Sequence, residues 1–424
     1  MLNHSAPNPP SSAFAPCGVI APLAAKARSG YSLDQKFYCD DEVFAADMQQ
    51  IVSRKWIVAG HADRVRRKGD YFLFKIGRES IIIVRSDEST ISAFYNVCRH
   101  RGSLICTEPQ GRVSRLTCGY HAWSYGLDGA LLSARLMPAD FSKKDNGLHR
   151  CHVRVFHGFI FVNLSDEAPV EFDATFGDLA PYLDFHGFAD AKIAHTESYP
   201  TDANWKLVVE NFVECYHCAP SHPEFSSMHS AQALIAFGAG PSSGPAEAVE
   251  SFLPALTAWE RHAACLGRPI GTIDDGPESS HLRLLLQRPI REGYDSETED
   301  GRPASPLMGR RLGWDQGRMY LSFSPFTQLV ATNDFAVLFS FTPRDTLRTD
   351  VDLYWLVGGK ATEVDVPKMV WGWDRTTKQD KVITENNQAG VLSTRYRPGR
   401  YSDHERRVVT FQQWYVTQFG LALG

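Results

Sequence analysis

Long apolar runs are missing from this chain: no stretch reaches the roughly twenty apolar residues that a membrane-spanning helix needs. Near the N-terminus, CGVIAPLAA is only mildly apolar, is interrupted by Pro22 and has no basic region before it, so it does not read as a signal peptide. Positive charge is not in excess either. A net charge of −5 gives no electrostatic case for binding nucleic acid. Nine cysteines in 424 residues are too few for a disulfide scaffold, and a reducing cytoplasm is the expected compartment. No nucleotide fingerprint is present: after Gly238-Ala239-Gly240 the next glycine comes one position late. With no internal repeat, 43% apolar and 22% charged residues, a globular small-molecule enzyme is the expectation.

Two short loops stand out against this background. Cys98-Arg99-His100 and Cys118-Gly119-Tyr120-His121 each offer one thiolate and one imidazole. Such a set can hold one tetrahedral zinc, or a [2Fe-2S] cluster in which two histidines replace two cysteines on one iron. Mixing Cys and His within each loop favours the cluster, because zinc fingers commonly pair two Cys in a knuckle and two His on a helix. Two ferric ions, two sulfides, two thiolates and two neutral imidazoles sum to zero charge, which eases acceptance of an electron. Arg99 and Arg101 beside the first loop would add to that effect. The stretches CRHRGS and CGYHAWSYGLDG resemble the Rieske loops of bacterial oxygenases.

A Rieske module accounts for only about 100 residues, so a further domain is expected. Residues 1–30, rich in Pro, Ser and Ala, are expected to form a mobile tail. From about 34 to 60 the pattern reads as a helix running into a strand at Trp56, and 70–97 as small antiparallel β structure. The Rieske domain is placed at 55–165, with 31–54 and 166–424 forming the catalytic domain. Stretches such as FAVLFSFTP and DVDLYWLVG, with a long helical pattern after about 365, predict an α+β fold: a small antiparallel β domain plus a helix-flanked antiparallel sheet. Residues 230–316 are poorly periodic and are expected to form a loop over a pocket.

Within NWKLVVENFVECYHCAPSHP, Glu214 and His217 are three apart, as on one helical face, and Pro220 would let His222 turn back toward them. Two imidazoles and a carboxylate on ferrous iron leave positions free for O2 and substrate. Cys215 and Cys218 in the same stretch read as small buried residues rather than a functional dithiol. The stretch resembles the mononuclear-iron motif of Rieske non-haem iron oxygenase α subunits. That resemblance implies that Cys98, His100, Cys118 and His121 hold the [2Fe-2S] cluster and that His217 and His222 bind a mononuclear Fe(II). It implies a third ligand far downstream, in a helix where Asp380, Glu385, Gln388 and Gly390 fit the family's form. Glu214 then falls where the family has an acidic bridge for electron transfer. His121 of one subunit would meet Glu214 of its neighbour in a homotrimer.

CRHRGSLICTE, LLSARLMPADFSKKDNGL and ECYHCAPSHPEF resemble the oxygenase components that demethylate glycine betaine and related quaternary amines. The implied reaction is monooxygenation: O2 and two electrons hydroxylate an N-methyl group, which leaves as formaldehyde. A trimethylammonium group calls for an aromatic pocket, and Trp373, two helical turns before Asp380, is the candidate wall. Electrons would come from a separate flavin- or ferredoxin-type NAD(P)H reductase, since the chain carries no fingerprint for either cofactor. Exposed Lys143 and Lys144 could help dock it. Two alternatives stay open: a dioxygenase making cis-dihydrodiols on aromatic rings, and a Rieske electron carrier without catalysis.

Overall fold

The computed structural model describes residues 17–167, 169, 171–230 and 246–423. Apolar strands dominate the larger part of the chain. Every residue of Gly317–Ser324 and Thr327–Ala331 is buried, as in a sheet covered on both faces. These strands belong to a seven-stranded antiparallel sheet that runs, in spatial order, Lys192–Thr201, Arg348–Val357, Phe335–Asp345, Thr327–Ala331, Gly317–Ser324, Leu284–Pro289 and Ile273–Asp274. Neighbouring strands from 317 to 357 are joined as successive hairpins, and a longer connection over 290–316 leads to them from Leu284–Pro289, so order in space follows order in the chain.

Helices cover this sheet. The helix Val366–Val391 starts at Asp365, whose carboxylate accepts from Lys368 N at 3.1 Å, with Pro367 in the first turn where no donor is needed. It packs along the strand Lys192–Thr201 and against the helices Trp205–Phe212 and Pro223–Ser227. The helix Asp41–Gln50, from well before the sheet, is fastened to the same layer by one carboxylate. Wholly buried Asp47 accepts from Trp205 Nε1 at 3.0 Å and Tyr415 Oη at 2.7 Å, and it pairs with the equally buried Lys206.

The smaller part is built of short antiparallel sheets. One has four strands in the order Ile91–Tyr95, Glu79–Arg85, Asp70–Ile76 and Gln110–Arg112; another has three, Leu116–Thr117, Ser124–Tyr125 and Leu131–Ser133. Ile57–His61, Phe159–Asn163 and His152–Phe156 form a third. A separate apolar cluster around Ile82, Phe94, Trp123 and Tyr125 holds the two loop-bearing sheets together, and Cys98 and Cys118 are part of it.

Three expectations need correction. Residues 1–16 of the expected mobile tail lie outside the described residues, but Cys17–Ala24 is a helix despite Pro22. Ile20 and Ala24, one turn apart, are fully buried, and that apolar contact outweighs the tail-like composition. Residues 230–316 are not one loop: 231–245 lie outside the described residues, Ala246–Cys265 is a 20-residue helix, and Leu284–Pro289 is a strand of the large sheet. Glu214 and His217 do not share a helical face. The helix ends at Phe212, both residues sit in the turn that follows, and Pro220 lies inside the next short helix, Cys218–Ser221.

Candidate functional site

The two Cys/His loops have nearly the same backbone form. Cys98 N donates to Ser103 O at 2.9 Å and Gly102 N to Cys98 O at 3.0 Å; Cys118 N donates to Trp123 O at 2.9 Å and Ala122 N to Cys118 O at 3.1 Å. In each, the residue four after the cysteine is left-handed, Gly102 at φ 77° and Ala122 at φ 58°. Ala122 holds that angle against the usual steric cost for a residue with a Cβ, which marks a loop fixed by its surroundings. Both thiols are buried and neither is in a disulfide, whereas His100 and His121 are exposed at the tip. The two Nδ1 atoms face each other at 3.1 Å, and His100 stacks on Trp123 with ring centroids 4.9 Å apart. Nitrogens about 2 Å from one metal ion at a tetrahedral angle stand about 3.3 Å apart, so the imidazole pair fits a shared iron. Tyr125 Oη lies 3.3 Å from Cys98 Sγ, in reach to hydrogen-bond a thiolate there.

A second donor group forms inside the larger part. His217, His222 and Asp380 present ligand atoms that all lie within 4.8 Å of one another. Asp380 Oδ1 is 3.0 Å from His222 Nε2 and 3.4 Å from His217 Nε2. Yet the buried His222 Nε2 and Asp380 Oδ1, although this close, make no hydrogen bond of acceptable geometry. Ligand atoms about 2.1 Å from a metal ion at right angles are about 3 Å apart, so this set fits a cation with open positions opposite. The charge balance agrees. Burial disfavours the His217 imidazolium, but the carboxylates of Asp380 and Glu214 outweigh burial and push its pKa up to about 9. Burial would also raise the Asp380 carboxyl, but the two imidazoles beside it, His217 and His222, hold it below the ordinary range. A cation is wanted here, and a metal ion can replace the proton.

Neighbouring groups set the direction of each donor. Glu214 Oε1 accepts from His217 Nδ1, which leaves Nε2 for the centre, and Glu214 Oε2 accepts from Tyr216 N. Gln379 Oε1 does the same for His222 Nδ1 at 2.9 Å while its amide donates to Glu224 at 2.9 Å. Two other residues of the long helix hold the partner elements in place. Glu385 accepts from Asp202 N at 3.0 Å and Gln388 from Asn204 N at 2.9 Å, which fixes the start of the helix Trp205–Phe212 against the helix of Asp380. Gln379 and Asn211, whose Nδ2 is 3.4 Å from His217 Nε2, are not singled out by spacing, although both adjoin motif residues.

A narrow cavity of about 30 Å³ opens on the triad, with Phe212, Phe225, Tyr320 and Trp373 as its aromatic walls. The Trp373 indole is held from behind: Nε1 donates to Glu297 Oε2 at 3.0 Å, and Arg318 pairs with the other oxygen at 3.0 Å. Cys215 and Cys218 also line the cavity, joined in a disulfide, which the turn allows by bringing their Cα atoms within 4.9 Å. Sequence alone reads them as separate buried thiols, because the spacing of three suits a helix and the turn is not visible there.

The chain matches the Rieske [2Fe-2S] domain family over residues 55–151 and the ring hydroxylating alpha subunit (catalytic domain) family over 188–420. It is 38% identical over 405 residues to a glycine betaine monooxygenase oxygenase subunit of Chromohalobacter salexigens, covering 93% of this chain and 87% of that protein. The protein of the same name from Pseudomonas aeruginosa is 36% identical over 392 residues, covering 91% of this chain and 88% of the relative. Among solved structures, a quaternary ammonium Rieske monooxygenase in complex with an inhibitor superposes with a TM-score of 0.70 at 22% identity, covering 94% of this chain and 98% of that one.

Proposed function

Because this chain belongs to the family of Rieske-type ring-hydroxylating α subunits and is a Rieske non-haem iron monooxygenase, we propose that it is the oxygenase component that N-demethylates a betaine, glycine betaine first. The family's two cofactors are a [2Fe-2S] cluster and a mononuclear iron. We assign the cluster to Cys98, His100, Cys118 and His121, and the iron to His217, His222 and Asp380. Iron held by these three residues would supply the two-electron activation of O2 needed to put one oxygen atom into a C–H bond. Hydroxylation of an N-methyl group gives a hemiaminal, which collapses to formaldehyde and a dimethylated amine.

One observation carries the assignment of the iron: the orphaned Asp380 Oδ1 and His222 Nε2, gathered with His217 within 4.8 Å of one another on an aromatic cavity. Phe225, Tyr320 and Trp373 exclude water and offer π faces to a methylated cation, each worth roughly 0.5 to 2 kcal/mol. The carboxylate of Glu297 behind the Trp373 N–H makes that face more negative and keeps the ring in place.

Glu214, at the inner edge of the surface near exposed Tyr216, is the bridge to the cluster of a neighbouring subunit. The cluster loops project Tyr120, 55% exposed, and Leu104, 52% exposed, as an apolar rim suited to docking on that neighbour in a homotrimer. A separate NAD(P)H reductase supplies the electrons. No helix among the described residues is long and apolar enough to cross a membrane.

Formaldehyde and O2 uptake, measured on iron-loaded protein with a reductase system and a panel of betaines and aromatic acids, test this reading. Stoichiometric formaldehyde from one betaine is expected. Uptake of O2 driven by an aromatic compound, with a cis-dihydrodiol as product, would replace N-demethylation by ring dihydroxylation.

A further inference from the structure

One helical turn before Glu214, the helix Trp205–Phe212 buries a second carboxyl group that the proposed reaction does not use. Glu210 is 8% exposed. Tyr38 Oη donates to its two oxygens at 3.0 and 3.1 Å, and Gln412 Nε2 donates to Oε1 at 2.9 Å. The same amide nitrogen reaches Tyr401 Oη at 2.7 Å, while the buried Gln412 Oε1 has no partner. Lys206, Glu405 and Tyr396 are the other titratable groups near it, and Ser32, Asn211, Thr384 and Asn387 line the same cavity.

This network opens on a cavity of about 280 Å³ that Glu210, Tyr38, Tyr401 and Glu405 line together with Glu214 and His217. A water molecule takes about 30 Å³, so the space admits a short chain of them. The cavity above the triad, about 30 Å³ and walled by aromatic rings, does not. Hydroxylation of one C–H bond consumes O2, two electrons and two protons and yields one C–OH and one water. The electrons arrive through the cluster, but the protons need a separate polar route to a centre sealed by apolar walls.

We propose that Glu210 is the proton relay of this centre, passing protons through the cavity it shares with Glu214 and His217 to the oxygen that leaves as water, and regaining them from solvent. The proposal rests on the reading of His217, His222 and Asp380 as iron ligands. Each transfer moves H+ from the Glu210 carboxyl to a cavity water, and the carboxylate is reprotonated from the solvent side before the next. The electrostatics suit a relay. Burial pushes the Glu210 pKa up to about 7, against the pull of Gln412, Tyr38 and Lys206, so the group both holds and releases a proton near neutrality.

Glu210→Gln keeps the shape and removes the titrating proton. Infrared difference spectra of the purified protein across neutral pH should show the carbonyl band of a buried protonated carboxyl disappearing in the wild type and absent in the variant. O2 consumption, driven by whichever panel compound accelerates it or by slow oxidation of the fully reduced protein, should fall about 100-fold with cluster and iron content unchanged. Glu210→Asp should recover part of the rate, and Tyr38→Phe should raise the solvent isotope effect. Wild-type rate and pH profile in Glu210→Gln, or no carboxyl titrating near neutrality, overturns the relay. If Glu210→Gln does not fold, an unchanged isotope effect in Tyr38→Phe overturns it. Retention of the third iron by Asp380→Ala would instead overturn the iron-ligand reading, leaving the infrared result to judge Glu210 by itself.

Discussion

The two donor groups of this chain are opposites in construction. Cys98, His100, Cys118 and His121 sit on two turns of matching form, with their imidazoles exposed at a tip. His217, His222 and Asp380 come from a turn, the end of a short helix and the middle of a long one, and they meet under aromatic side chains. A centre that passes electrons to another body gains from exposure, since transfer needs close approach. A centre that activates O2 gains from burial, since water competes for the open positions and releases the oxidant early. On the proposed assignment one chain meets both demands, the first site being made from local loops and the second from tertiary packing.

The sharpest way to break this contrast is to empty one site at a time. Asp380→Ala should lose the third iron and all measurable turnover while keeping the visible absorbance of the cluster. Cys98→Ser should do the reverse, losing absorbance and keeping one iron. Metal analysis with absorbance spectra reads both, and joint loss in either variant would mean that the sites are not independent. Glu214→Gln addresses the link between them: both metals stay, and turnover should drop by about 10- to 100-fold. A reduced cluster that still reoxidises at the normal rate on adding O2 and substrate would remove Glu214 from the path.

Smaller effects sharpen the picture of the buried side. Trp373→Leu should raise KM for the betaine about 2- to 30-fold with less change in kcat, as loss of one cation-π wall requires. A change in kcat alone would make Trp373 a packing residue. Acid should act on the buried part first. His186, His229 and His281 are buried and held neutral, and burial with nearby Lys55 and Arg283 pushes His281 down to about 3. The unfolded chain takes up a proton at this histidine near pH 6.5 and the folded one does not, so its stabilisation is full above 6.5 and is lost as pH falls toward 3. At pH 5 that amounts to about 2 kcal/mol, visible as a lower denaturant midpoint than at pH 7 and smaller in His281→Gln. Equal midpoints at the two pH values would contradict it.

The same contrast explains what can be read from sequence. The cluster loops are legible because each needs only a few neighbouring residues, and the antiparallel sheets because their strands alternate or run apolar. Asp380 is reachable only through resemblance to a family, as no local spacing links it to His222. Glu214 and His217 read as helical because a separation of three suits a turn as well as a helix, and the chain leaves its helix at Phe212. Tyr320 and Phe225 escape notice as cavity walls, because one lies on a fully buried strand and the other on a five-residue helix, where an aromatic residue looks like any core residue. The helix Ala246–Cys265 is hidden because Pro254 and mixed polarity blur its period.

Buried Asp47 carries a last consequence, for the order in which the protein can be made. Its partners are Trp205 and Lys206, and then Tyr415, which lies 368 residues further along the chain. During synthesis the cluster loops and their small sheets are complete while Asp47 still lacks every one of these partners. The buried anchor of the helix that leads to His217 is complete only when the helix Arg406–Thr417 is present. The loops of Cys98 and Cys118 and their sheets therefore draw on residues 57–163 alone, whereas the fastening of the helix before His217 draws on Tyr415 as well.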